Sequence, residues 1–322
     1  MNRREFTLSL AAASALVAGA SRLASAAEYP TRAVKIICPF APGGSGDISA
    51  RLFADHFKTA TGQTLVVENR TGASGGIGAA AVKSSDPDGY TLMLSTSSIL
   101  IANELFYKTL PYDPRDFATV GIVGSTGMFM LVNPATPYKT VAEFSAYAKA
   151  NPKDVLSAHF NTSSRIGAAI FAARAGLTFN EIPYKDVGQA VTDLIGGRLT
   201  VVFLDTVAAA QHIQGGGLRA LGITTGERNK LYPDVPALAE TFPGLEVFAF
   251  LSVSAPAKTP RDIQEKLNKL VVETIQAPAI QPRLEQLGLI SKPMDLAAVD
   301  AFVETERKRW AEYVKIAKIE KE

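Results

Sequence analysis

The chain has 322 residues, 47% of them apolar, with a formal net charge of +2 and a single cysteine. That length allows two lobes around a sizeable core, and the core must supply the stability because one cysteine cannot close an internal disulfide. No lysine or arginine block stands beyond the first residues, which excludes a nucleic-acid groove or an anionic membrane as the partner.

A basic start, Asn2-Arg3-Arg4-Glu5-Phe6, precedes an apolar run from Leu8 to Ala20 and the small residues Ala24-Ser25-Ala26. This is the three-part layout of an export signal, too short for a bilayer-spanning helix, so residues 1–26 are expected to be removed. The Arg3-Arg4 pair before Phe6 resembles a twin-arginine signal, although an ordinary secretory signal carrying two arginines fits as well. Without this segment the formal charge falls to roughly zero.

The first strand, Ile36-Ile37-Cys38, runs into Pro39-Phe40-Ala41-Pro42-Gly43-Gly44-Ser45-Gly46-Asp47. An apolar run stopped by prolines and followed by glycines reads as a strand delivering a tight turn. Ser45 or Asp47 is expected to cap a helix beginning near Ile48. Amide N–H groups at a glycine turn and at a helix start lack intrahelical acceptors, so the stretch outlines a pocket for a carboxylate or phosphate. Cys38 reads as an inert buried thiol because its neighbours are apolar.

Ala50–Thr61 reads as a helix with Leu52, Phe53 and Phe57 on its apolar side, ended by Gly62. The strand Leu65-Val66-Val67-Glu68 empties into a small-residue loop from Asn69 to Gly76, and a short helix follows over Ile77–Lys83. After the turn Asp86-Pro87-Asp88-Gly89, a third strand, Tyr90–Leu94, ends in Ser95-Thr96-Ser97-Ser98. Strand, loop, helix, strand is the rhythm of a parallel α/β sheet, whose ligand loops lie at the carboxyl ends of the strands. Three strand ends rich in Gly, Ser and Thr are therefore expected to converge on one crevice.

A strand over Val120–Gly124 leads to a crossover near Ser125–Gly127, and Phe129-Met130-Leu131-Val132 begins a second α/β section. There a helix is expected over Thr140–Ala150. The polar loop Ser157–Ser164 precedes a helix from Arg165 to Ala175, whose start is a second candidate anion site. A helix over Gln189–Ile195, a strand Thr200–Leu204 ending at Asp205-Thr206, and a strand Arg219–Thr224 complete this section. The strand Phe248–Ser254 and helices over Arg261–Ile275, Pro278–Leu287 and Asp295–Ile316 return the chain to the first lobe. Residues 27–124 with 250–322 are thus assigned to one lobe and residues 125–249 to the other.

Four chemistries compete for these loops. A dinucleotide fingerprint would need a glycine where Ser49 stands, and a P-loop lacks its Gly-Lys-Ser or Gly-Lys-Thr. Gly72-Ala73-Ser74-Gly75-Gly76 has the spacing of a hydrolase elbow, which leaves an exported serine hydrolase using Ser74 with His159, or with His212, as an alternative. His56, His159 and His212 are too far apart in sequence to suggest a metal site. Arg165 at a helix start opposes the helix dipole, a small cost that a surface arginine can tolerate; turned into the crevice instead, it can make a two-pronged contact with a ligand carboxylate.

A longer set of matches bears on the choice. It comprises Val34–Phe40 with Ala41-Pro42-Gly43-Gly44 and Asp47, Val66-Val67-Glu68-Asn69-Arg70, Gly75-Gly76-Ile77-Gly78-Ala79, and Pro87-Asp88-Gly89-Tyr90-Thr91-Leu92. Leu110-Pro111-Tyr112-Asp113-Pro114, Pro183-Tyr184, Gly217-Leu218-Arg219-Ala220-Leu221, Pro233-Asp234-Val235-Pro236 and Arg309-Trp310 continue it. In these stretches the chain resembles the receptors of tripartite tricarboxylate transporters, the Bug family of periplasmic solute-binding proteins.

The resemblance implies a two-lobed periplasmic binding protein, type II-like, with a ligand cleft between the lobes. It implies a monomer in the periplasm that takes up a small carboxylate, a di- or tricarboxylate or an aromatic diacid, and presents it to a two-component membrane permease, without enzymatic activity, cofactor or metal. A receptor that senses for a signalling partner is the other non-enzymatic reading. In the family, backbone groups and ordered waters of the first two loops hold one carboxylate; here these are Phe40, Ala41, Pro42, Gly43, Gly44 and Asp47, then Thr71, Ala73, Ser74, Gly75 and Gly76. The other contacts carry over to Ser95, Ser97 and Ser98, to Asn161, Thr162, Ser163 and Arg165, and to Asp205. Arg165 stands where the family commonly has histidine, and Lys185-Asp186 where it has arginine-glycine. These departures make a dicarboxylate or an aromatic diacid, with its second carboxylate on Arg165, the expected ligand.

Overall fold

The computed structural model describes residues 29–185 and 187–321, so the expected export signal lies outside the described residues. From Arg32 onward the chain is one compact unit. Its first sheet opens with β1 (Val34–Cys38), buried apart from the half-exposed Lys35. The chain then turns into α1 (Ser45–Thr61), which buries Leu52, Phe53 and Phe57 and stops at Gly62 in the left-handed conformation that suits a residue without a Cβ. β2 (Leu65–Asn69), α2 (Gly76–Lys83) and β3 (Thr91–Thr96) follow. Because β1 pairs in parallel with both β2 and β3, the carboxyl ends of the three strands share one edge of the sheet.

Beyond β3, a π-type turn over Ser98–Ala102 leads into the short α3 (Asn103–Phe106), and β4 (Phe117–Thr126) carries the chain to the second sheet. Only Gly127 separates β4 from β5 (Met128–Val132). A Cβ there would lie 2.6 Å from Thr225 Cγ2, so the crossing is too tight for another residue without a shift.

The second sheet is built from β5, α4 (Val141–Ala150), β6 (Leu156–His159), α5 (Thr162–Ala175), β7 (Asn180–Pro183), α6 (Val187–Ile195), β8 (Val201–Asp205), α7 (Thr206–Gln214) and β9 (Arg219–Ile223). Its strand order is β7-β6-β8-β5-β9, with β6 parallel to β7 and β8, and β5 antiparallel to β8 and β9. After α8 (Leu238–Thr241) the chain returns, and β10 (Ala249–Pro256) enters the first sheet antiparallel to both β3 and β4, giving the order β2-β1-β3-β10-β4. α9 (Arg261–Gln276), α10 (Gln281–Gln286) and α11 (Leu296–Ala317) close the chain. α11 packs on β4 of the first sheet and on α5 of the second, with Trp310 fully buried.

The expected α/β class holds: two mixed sheets flanked by helices, one in each lobe. Several boundaries differ from expectation. α1 begins at Ser45 rather than near Ile48, β3 runs on through Ser95 and Thr96, and β6 takes up Ser157–His159, which read as loop. β7 and α7 carry little apolar periodicity because β7 is an edge strand exposed at all but Ile182 and α7 buries only Thr206 and Ala209. No helix among the described residues is long and apolar enough to cross a membrane.

Candidate functional site

The loop after β1 is shaped by Asp47, which lies inside the first turn of α1 and does not cap it. Its Oδ2 accepts from the Gly43 amide at 3.0 Å and from Arg51 Nε at 3.0 Å, while Oδ1 accepts from Arg51 Nη2 and Asn69 Nδ2, both at 2.9 Å. Asn69 Nδ2 also donates to the Phe40 carbonyl at 3.0 Å, which ties the loop to β2. Burial opposes ionisation of Asp47, but the Arg51 guanidinium and the Gly43 and Asn69 donors outweigh it and hold the carboxyl at about 2. Asp47 therefore supports the loop from behind, with both oxygens already accepting from the protein.

In front of it, Ala41, Pro42, Gly43 and Gly44 are exposed, and Gly43 has φ +82°. Gly44 is the N-cap residue of α1 and supplies no side chain, so the first amides of the helix, at Ser45 and Gly46, have no acceptor among the described residues. Phe40 packs across this turn so closely that a Cβ on Gly46 would lie 2.7 Å from Phe40 Cδ2.

The loop after β2 is conformationally unusual. Gly72, Ala73, Ser74 and Gly75 all have positive φ, at +119°, +49°, +52° and +87°. For Ala73 and Ser74 such angles cost roughly 1–2 kcal/mol each, because their Cβ atoms crowd the following carbonyl. The Gly75 amide donates to the Gly72 carbonyl at 3.0 Å, whereas the amides of Ala73 and Ser74 have no acceptor among the described residues. α2 then begins, again without a side-chain cap. Thr71 and Gly76 flank the turn, and Thr71 is exposed while Gly76 is buried.

The hydroxyls at the end of β3 divide into two kinds. Ser95 is fully buried and meets Ser252 Oγ at 2.7 Å and Ser254 Oγ at 2.6 Å, so it belongs to the β3–β10 seam. Thr96 and Ser97 are buried with hydroxyls that find no partner among the described residues. Ser98 reaches across to the second lobe, accepting from Thr162 Oγ1 at 3.1 Å and lying 3.4 Å from Ser163 Oγ. The two lobes are thus in contact at this point.

On the opposing side, the helix start expected to bind an anion has a cap of its own. Asn161 Oδ1 accepts from the Ser164 amide at 2.8 Å, and Ser164 Oγ accepts from the Phe160 and Asn161 amides at 3.1 and 3.2 Å. Arg165 Nε donates to Glu181 Oε2 on β7 at 2.9 Å, and its guanidinium lies 6.0 Å from the centre of the Phe106 ring in the first lobe. His159 Nε2 stands 4.0 Å from the same Glu181 oxygen. Asp205 ends β8 and caps α7, its Oδ1 accepting from the Val207 and Ala208 amides at 3.1 Å. Desolvation pushes its carboxyl upward against the pull of those backbone donors.

This arrangement offers hydrogen-bond donors and little reactive machinery. Ser74 Oγ lies 3.0 Å from Tyr107 OH, and the neighbours of His159 include Glu181, so the described contacts assemble no serine–histidine pair. Cys38 is fully buried, and desolvation raises its thiol to about 11, which suits an inert packing residue. Among the described residues there is no group of three or more side chains fit to hold a metal ion. Two hollows, about 390 and 360 Å³, lie away from these loops, one between α5 and the end of α11 and one beside Tyr138 and Arg198.

Sequence reading missed four residues that shape the first-lobe loops: Arg51, Asn69, Asn103 and Tyr107. Arg51 is one helical turn from Asp47 and could have been read from that spacing. The other three act across 22 to 33 positions of chain, and no local pattern announces such contacts.

Comparison with known proteins places the chain among receptors. The family described as tripartite tricarboxylate transporter family receptor matches residues 49–319. Protein BugT of Bordetella pertussis is 34% identical over 303 residues, which cover 92% of this chain and 93% of that protein. The R. palustris protein Rpa4515, solved with adipate, superposes with a TM-score of 0.85 at 29% identity, covering 92% of this chain and all of that one. MatC from Rhodopseudomonas palustris, solved with bound malate, has a TM-score of 0.79 at 28% identity, covering 89% of this chain and all of that one.

Proposed function

Since the chain belongs to the tripartite tricarboxylate transporter receptor family, we propose that it is a periplasmic receptor that closes two lobes on a small dicarboxylate and hands it to a two-component membrane permease. The lobes are built on the two sheets, and the chain crosses between them at Gly127 and just before Ala249, so Ser125, Thr126 and Ala249 go with the first lobe and not, as the boundaries expected from sequence had it, with the second. The protein acts as a monomer, without cofactor or catalysis.

One observation carries this reading. Two helices, α1 and α2, start at the same sheet edge without side-chain caps, while α5 and α7 across the cleft carry caps of their own. The amides left open there, of Ser45 and Gly46 at the start of α1 and of Ala73 and Ser74 in the turn before α2, favour an anion, and a carboxylate is small enough to accept from both loops. Nothing here supplies a poised base, and a receptor needs none, since it releases its ligand unchanged. The hydroxyls of Ser98, Thr162 and Ser163 meet across the cleft and suit closure over the ligand.

The second carboxylate is assigned to Arg165, whose ion pair with Glu181 fixes the guanidinium at the cleft edge. The adipate and malate of the solved relatives are both dicarboxylates, in keeping with this. Calorimetry on residues 27–322 with malate, adipate and matched monoacids tests the reading. Diacids are expected to bind more tightly than monoacids, and Arg165→Ala to abolish that preference while leaving monoacid binding in place. Equal binding of both classes, or a preference that survives Arg165→Ala, would reject the assignment.

A further inference from the structure

Ala73 and Ser74 hold backbone angles that residues with a Cβ avoid. Such strain persists only where the surroundings over-determine it. The bonds within the loop do not suffice: the Gly75 and Ile77 amides donate to the Gly72 carbonyl, at 3.0 and 3.5 Å, and the Gly76 amide to the Ala73 carbonyl, which closes the turn but leaves the Ser74 carbonyl to be held from outside the loop.

The restraint comes from Asn103, fully buried at the start of α3. Its Nδ2 donates to the Ser74 carbonyl at 3.0 Å and to Tyr112 OH at 2.9 Å, and Tyr112 OH donates onward to the Ile99 carbonyl at 3.0 Å. Both partners of Asn103 need a donor, so the network dictates which way its amide faces. A second tie, between Ser74 Oγ and Tyr107 OH, reaches the same loop from just beyond α3. Asn103 also follows directly on the π-type turn that starts at Ser98, the residue that meets Thr162 and Ser163 of the second lobe. One short stretch of chain therefore shapes the second loop and touches the opposite lobe.

We propose that Asn103 is a positioning residue for carboxylate binding: through the Ser74 carbonyl it holds Gly72–Gly75 in the strained form that aims the Ala73 and Ser74 amides at the ligand. It does not touch the ligand itself. The proposal rests on the receptor reading above, because it assigns those two amides to the carboxylate.

The test compares wild type, Asn103→Ala, and Asn103→Ala combined with Ala73→Gly and Ser74→Gly, titrated calorimetrically with malate and adipate. Asn103→Ala is expected to weaken binding about tenfold through lost preorganisation. The two glycines, which adopt left-handed angles without strain, are expected to recover about threefold of that loss. A role in packing alone would not respond to glycine, so an unrecovered loss overturns the proposal, as does unchanged affinity. Amide hydrogen exchange on the ligand-free protein gives a readout independent of any ligand: Gly75 and Ile77 are expected to exchange faster in Asn103→Ala. Unchanged exchange overturns the proposal, whereas faster exchange with no binding of either probe by wild type upholds the clamp and counts against the receptor reading. Should the alanine variant fail to fold, Asn103→Leu keeps the side-chain volume, has no donor and serves the same comparisons.

Discussion

At Asp47 a carboxylate that reads in sequence as a helix cap or a ligand contact is turned back into the first lobe, where Arg51, Asn69 and Gly43 all donate to it. An acid facing the ligand would repel a carboxylate, whereas one behind the loop fixes the loop's shape. Its carboxyl is held at about 2, below the ordinary 3.8, so the native state favours the ionised form. The stability it contributes is present above about pH 4 and is lost as pH falls through 2, on the order of 2 kcal/mol. Asp47→Asn is expected to reduce the urea-unfolding free energy at pH 7 by about 1–3 kcal/mol and to flatten its acid limb, since the amide cannot pair with Arg51.

The helices differ in how their starts are finished. α4, α5, α7 and α11 are capped by the side chains of Thr140, Asn161, Asp205 and Asp295, while α1 and α2 begin at glycines with no side-chain cap, and only at α2 does the preceding turn take up the first amides. Gly44 is not there for backbone reasons: its φ is −77°, and a Cβ would meet only the Ala41 carbonyl oxygen at 3.6 Å. Gly44→Asp would therefore place a carboxylate on the amides of Gly46 and Asp47. It is expected to stabilise the protein by a few tenths of a kcal/mol and to weaken malate and adipate binding by calorimetry. Opposite signs for stability and affinity are what a start left open for a ligand predicts. Within the same helix, Phe57 is fully buried, and Phe57→Ala is expected to cost about 3–5 kcal/mol in chemical denaturation.

At the scale of the whole molecule, the second crossing between the sheets is bound to α11. Tyr313 OH donates to the Glu246 carbonyl, and Arg309 stands between Glu246 at 3.8 Å and Glu306 at 3.3 Å, with the Phe248 ring 4.9 Å away. Glu306 is 2% exposed, and desolvation raises its carboxyl to about 7 against the pull of Arg309, with Glu246 adding to the rise. A raised native value means that the proton is held more tightly in the folded state. Stability is therefore fully present below about pH 4.5 and declines as pH rises through 7, by a few kcal/mol, roughly 3. Glu306→Gln is expected to remove this decline and to be more stable than wild type at pH 8. Trp310, the sole tryptophan, lies one turn beyond Glu306 and is fully buried, so its emission should titrate near pH 7 in wild type and not in Glu306→Gln. A flat emission profile in wild type would contradict the assignment.

The sequence by itself determined the α/β class, the strand ends that carry the loops and the family, because apolar periodicity, glycine turns and family motifs are local along the chain. Val34–Cys38, Leu65–Asn69 and the glycines from Gly72 to Gly76 could be read in this way. Tertiary structure alone decided what each polar side chain does. Ser95 faces Ser252 and Ser254, Arg165 meets Glu181, and Asn103 holds Ser74, through partners 16 to 159 positions away. Whether a hydroxyl or a carboxylate serves the ligand or the fold depends on which donors the packed sheets bring to it, and that pairing exists only once the chain has closed.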